Sequence, residues 1–161
     1  MLVSGVALGL FAGVAFGGDI RRLARLELRW TPVLFGALAI RLVGLFVPFS
    51  LWLYVAALLA TAAAAALNRH LPGALLIAAG SLLNAVVVVL NGGMPIDPRA
   101  AEAASLTYPT DGLHVPLGAR ALLPFLTDVI PVPIVRGVYS VGDVLIAIGG
   151  FWLPFAWLRR T

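Results

Sequence analysis

Residues 71–91 read LPGALLIAAGSLLNAVVVVLN, twenty-one positions without one Asp, Glu, Lys or Arg. About 20 mainly apolar residues suffice for an α-helix to cross the hydrocarbon core of a bilayer. Pro72 stands where a first-turn proline suits a helix. At the other end Asn91-Gly92-Gly93-Met94-Pro95 supplies a helix stop, with glycine just past the last turn and proline soon after. Ser81, Asn84 and Asn91 lie at offsets of three and seven and so share one face of that helix.

Working outward, four more stretches have the same character: residues 2–18, 31–49, 51–67 and 137–158. The 161-residue chain is 61% hydrophobic and 11% charged, with a mean hydropathy of +1.04. Soluble domains are about 45–50% apolar and about 25% charged. The expectation is an all-α polytopic integral membrane protein, a single domain over 1–161 with five transmembrane helices and the lipid bilayer as partner. The first stretch lacks a basic n-region, and Arg21 and Arg22 follow it, so it reads as a retained span. Pro48-Phe49-Ser50 leaves room only for a tight hairpin between the second and third spans, and Asn68-Arg69-His70 joins the third to the fourth. Glycines at 36, 44, 80, 149 and 150 mark positions of close helix contact.

All eleven basic residues are arginine, and they are unevenly placed. With five spans, Arg21, Arg22, Arg25, Arg29, Arg69, Arg159 and Arg160 fall on one side, and Arg99, Arg120 and Arg136 on the other. The positive-inside rule then puts the N-terminus outside and the C-terminus in the cytoplasm of a bacterial inner membrane. The pI near 10.7 reflects this orientation. No dense basic and aromatic surface is present, so nucleic acid is not an expected partner. The absence of cysteine excludes disulfides, thiolate metal sites and thiol catalysis. Asp19 can cap a short helix from about residue 20 to 30 whose arginines share one side, an interfacial helix on the anionic inner leaflet or simply a topology anchor.

The loop at 92–134 is expected to be ordered and to carry short interfacial or re-entrant helices. Asp97-Pro98 begins one, to about residue 106. Residues 119–130, ARALLPFLTDVI, are apolar on nearly every side and too short to span, which suits a second. Pro131 and Pro133 stop it.

Polar groups inside spans are the sharpest signal, because ionisable residues there are rare and usually face the bundle interior. Arg41, Asn84 and Asp143 each fall roughly 10–12 Å below the outer boundary at a rise of about 1.5 Å per residue. They are expected to meet, Arg41 pairing with Asp143, and Ser140 and Asn91 extend the cluster towards the loop. The functional reading is a solute, ion or proton site under a lid. The structural reading is an interhelical clamp. Met94, His114 and Asp128 form a second candidate site in the loop, joined by Asp111 if a metal or haem were held. No ligand spacing such as His-x-x-x-His supports a metal, no catalytic residue is assigned, and any cofactor is left open.

The Asn84 helix running into Asn91-Gly92-Gly93-Met94-Pro95 resembles the bacterial membrane family called domain of unknown function 5317. So do His114, the run Leu126-Thr127-Asp128-Val129-Ile130-Pro131, and Ser140-Val141-Gly142-Asp143. The likeness covers about residues 80–150. It implies a multi-span bacterial membrane protein and brings no activity with it. Three functional classes remain: a non-enzymatic small subunit or scaffold among other membrane subunits, a small-solute or ion carrier or sensor, and a membrane enzyme acting on a lipid or quinone through Asp128, Asp143 and His114.

Overall fold

The computed structural model describes residues 1–43, 51–107 and 112–160, without the side chains at 41 and 42. Most of the described chain is helical, as expected. The long helices are α1 (Leu2–Ala15), α2 (Thr31–Val43), α3 (Leu51–Leu67), α4 (Ala74–Asn91) and, after the loop, α6 (Val141–Leu158); α5 (Pro98–Ala103) lies within the loop. By length and composition α4 and α6 could cross a membrane, whereas α1, α3 and the Thr31–Ile40 part of α2 are shorter apolar helices.

Glycine sets the packing. A Cβ at Gly80 would run into the Gly142 carbonyl oxygen, and one at Gly73 into that of Gly149, so α4 and α6 are antiparallel at backbone contact. Cβ atoms at Gly5, Gly9 and Gly13 would meet Ala147, Phe151 and Phe155 in turn, so α1 runs parallel to α6. Small residues at such spacing let two helices approach closely. The helices follow one another in contact as α2, α3, α4, α6, α1.

One end of the bundle gathers two connections, α1–α2 and α3–α4, and the last turn of α6. The Asp19 amide donates to the Leu158 carbonyl at 3.0 Å, and the Trp157 indole N–H donates to the Arg22 carbonyl at 3.0 Å. Asn68, between α3 and α4, accepts from the Arg29 amide and donates to the Arg29 carbonyl, both at 2.8 Å. Asp19 does cap its segment, accepting from the Arg21 amide at 2.9 Å. The segment is a single 3-10 stretch, Ile20–Arg25, and not the expected helix to residue 30. The tie from Arg29 to Asn68 and a positive φ at Trp30 hold the rest off helical geometry.

The opposite end is closed by the loop, which is ordered where described but contains strands that were not expected. Strand β1 (Met94–Ile96) pairs in parallel with β2 (His114–Pro116), and β3 (Ile130–Val132) pairs antiparallel with β4 (Gly137–Tyr139). On its other side β1 bridges Asp128: Asp128 N–H donates to Pro95 O, and Asp97 N–H to Asp128 O, both at 2.9 Å. The expected α5 is present, with the Asp97 carboxylate capping at 2.9 Å. The expected helix over 119–130 is not. Leu123 sits in left-handed geometry and Pro124 starts a 3-10 turn, Pro124–Leu126, because a proline in mid-helix removes a donor and clashes with the preceding turn.

Candidate functional site

Asn84 is buried on α4, two turns before the helix ends. The chain leaves α4, builds the loop and descends again through the β3–β4 hairpin, so that α6 starts beside Asn84 and not level with the end of α4. Ser140 is the N-cap of α6. Its hydroxyl accepts from the Asp143 amide at 3.0 Å, and the Asp143 carboxylate accepts from the Ser140 amide at 3.3 Å, a reciprocal box that satisfies two end donors. The Ser140 hydroxyl also lies 2.9 Å from the Asn84 side-chain oxygen and 3.1 Å from Asp143 Oδ2, with one proton to give to either. The Asn84 amide donates to Asp143 Oδ1 at 3.2 Å.

Three of the expected cluster residues, Asn84, Ser140 and Asp143, therefore meet. The depth assigned to Asp143 needs correction. Residues 137–139 form a strand, so Asp143 is in the first turn of its helix and not six or seven residues into a span. It reaches the level of Asn84 because the hairpin carries the start of α6 inward. Arg41 lies on α2, which packs on α3, and its side chain is outside the described residues, as is any pairing with Asp143. Asn91 is used elsewhere. Its side chain accepts from the Leu122 amide at 2.8 Å and donates to the Leu122 carbonyl at 3.1 Å and to Val87 O at 2.8 Å, fastening the loop to the end of α4. A cleft of about 480 Å³ opens beside this fastener, bordered by Pro95, Val115, Pro116, Arg120 and Leu122.

The second expected group also comes together. Met94 and His114 are partners across the β1–β2 ladder, and His114 Nε2 is 3.9 Å from Asp128 Oδ2. Met94 is core, packed with Val55, Val87 and Val88. Asp128 is 5% exposed, and its Oδ1 is buried with no hydrogen-bond partner among the described residues. Burial, and secondarily the Asp143 carboxylate, push its pKa up from 3.8 to about 8. Burial raises the Tyr139 phenol as well, helped by Asp143 and then Asp128. The two expected sites thus share one electrostatic field, with Asp143 the charge common to both. Among the described residues no three His, Cys, Asp or Glu side chains are grouped to hold a metal, and Asp111 lies outside them. What the arrangement can do is hold and release a proton.

Two participants escaped the sequence reading. Gly142 has no side chain, and a Cβ there would overlap Asn84 Oδ1, so this glycine admits the amide to the cap. Gly5, Gly9 and Gly13 form the α1 face against α6, and their spacing of four was the legible signal.

The comparisons with known proteins agree with the motifs. An uncharacterised protein of Thermotoga maritima is 36% identical over 88 residues, covering 52% of this chain and 51% of that relative, so the match spans about half of either protein. No solved structure matches. The profile of a family of unknown function, DUF5317, matches residues 25–155, and the chain belongs to that family.

Proposed function

We propose that the chain is a five-span protein of the bacterial inner membrane, N-terminus outside and C-terminus in the cytoplasm, which acts as an ion carrier or sensor whose ion is the proton. The single observation that carries the proton reading is the buried, unpartnered Oδ1 of Asp128 under the loop. A proton is the one ligand that needs no cavity. A carboxyl deprived of water, with His114 at 3.9 Å and the Asp143 carboxylate acting on it, favours its neutral form. The membrane reading draws support from large apolar side chains that face outward on every long helix, among them Phe11, Phe35, Trp52, Leu82 and Trp152. Exposed Trp30 and Trp52 stand near opposite ends of the bundle, as interfacial tryptophans do.

The test is infrared titration of the full chain in lipid nanodiscs. The expected result is a protonated carboxyl band that disappears near pH 8 and is missing in Asp128→Asn. Complete ionisation in the ordinary carboxylate range would overturn the reading. Proteoliposomes with an internal pH dye then separate the two roles: proton flux means a carrier, and a titrating carboxyl without flux means a sensor.

A second reading, a small subunit of a larger membrane complex, is favoured by α2. Among the described residues this helix packs chiefly on α3 and leaves Phe35, Gly36 and Leu38 uncovered. The glycines that suggested a scaffold from sequence alone are, apart from Gly36 and the undescribed Gly44, used inside the monomer.

A further inference from the structure

The charge of this chain is separated along the bundle. At the end where two connections meet the last turn of α6, seven arginines stand against Asp19 and Glu27, which leaves that end five positive. The loop at the other end sets three arginines against Asp97, Glu102, Asp111 and Asp128, which is formally one negative and neutral when Asp128 holds its proton. Among the described residues no carboxylate lies within 4.0 Å of any of the seven. The Asp19 carboxylate is occupied in accepting from the Arg21 backbone amide.

The positive end is also built rigidly. Residues 19–29 form a belt beneath the helices, tied to α6 through Leu158 and Trp157 and to the α3–α4 turn through both bonds of Asn68. Arg21, Arg25 and Arg29 on this belt are exposed, as are Arg69, Arg159 and Arg160 beside it. Phe16, Ile20, Leu28 and Trp30 are exposed among them. A row of exposed arginines on a tethered backbone, interleaved with apolar side chains, matches one chemistry: phosphate above, acyl chain below.

We infer that this end is a docking surface for the headgroups of anionic phospholipids. The inference rests on the membrane reading above and is independent of the proton site. Guanidinium forks pair with phosphate oxygens in two parallel hydrogen bonds, while Ile20, Leu28 and Trp30 reach the boundary of the acyl chains and hold the arginines at phosphate depth.

The test uses the full chain in nanodiscs of phosphatidylcholine, alone or mixed with phosphatidylglycerol. Retained lipids are counted by native mass spectrometry and the thermal midpoint is recorded. The wild type should enrich phosphatidylglycerol and melt higher in its presence, with both effects weakened by salt. Arg21→Gln, Arg22→Gln and Arg25→Gln should each lower the relative retention roughly fivefold, whereas Arg99→Gln and Arg120→Gln should leave it unchanged. Equal enrichment in the wild type and the belt variants would overturn the inference, and so would displacement by free glycerol phosphate, which would mean a site for a soluble phosphate ester. If a belt variant fails to fold, the salt dependence of wild-type enrichment still decides. A chain that enters no bilayer at all would instead overturn the membrane reading.

Discussion

The Ser140 hydroxyl lies 2.9 Å from the side-chain oxygen of Asn84, so the cap of α6 is completed by a residue two turns inside α4. Neither helix makes this contact unless the loop between them has already folded back. The cap, the loop and the α4–α6 interface are therefore expected to lose stability as one unit.

Ser140→Ala tests that unit. The substitution removes the cap of α6 and leaves a fully buried Asn84 oxygen without its donor. Loss of a cap costs about 0.5–2 kcal/mol, and an orphaned buried acceptor adds about 1–3 kcal/mol. The thermal midpoint in detergent should fall clearly. Asn84→Ala should also destabilise, and the double variant should lose less than the two single losses together. Strictly additive losses would mean that the bond contributes nothing.

The pH dependence of stability follows from Asp128. Its folded pKa is raised to about 8 from 3.8, so between those values the folded chain binds more protons than the unfolded one. Its stabilising contribution is complete below the unfolded value and is lost as pH climbs to about 8, after which the curve is flat. Among the described residues His114, Asp143 and Tyr139 are titratable groups that act on it or lie near it. The thermal midpoint of the wild type should fall from about pH 5 to about pH 8, and Asp128→Asn should remove most of that slope. A slope that survives Asp128→Asn and vanishes in His114→Gln would assign the titration to the histidine.

The glycine interface predicts a contrast within one residue type. Gly9→Ala places a methyl group against the Phe151 carbonyl, whereas Gly36 has nothing within 4 Å. Overpacking costs typically about 1–3 kcal/mol, while alanine for glycine in an open helix position gains up to about 1 kcal/mol. Gly9→Ala should lower the thermal midpoint, and Gly36→Ala should hold or raise it. A fall with Gly36→Ala would reveal that α2 is covered by another chain in the preparation used.

What the sequence made legible were the features set by local chemistry. The apolar runs around α3 and α4 have nearly the observed limits, because Asn68 and Gly92 stop helices by rules acting within one turn, although Pro72, expected in the first turn of α4, instead precedes its cap at Gly73. The meeting of Asn84 with Asp143 was legible from the scarcity of polar groups, although the reasoning on depth misjudged where α6 begins. The ladders β1–β2 and β3–β4 were not legible. Each strand is three residues long, too short for an alternating pattern, and exists only through a partner five to twenty residues away. Asp128 was legible as a loop candidate beside Met94 and His114, whereas the isolation of its Oδ1 is a property of the folded loop.

Ala103 is exposed on α5 in the loop, and Arg160 is exposed at the end of α6 beside the arginine belt. The chain has no native cysteine, so a single cysteine at either place is the only thiol present. An impermeant maleimide applied to intact cells should label Ala103→Cys and spare Arg160→Cys until the membrane is opened. The arginine distribution sets this direction, since basic connections stay in the cytoplasm. The opposite labelling pattern would invert the orientation and place Asp128 on the cytoplasmic side, where it would sense internal pH. Labelling of both sites on intact cells would mean that α6 does not cross, leaving α4 without its antiparallel partner in the bilayer.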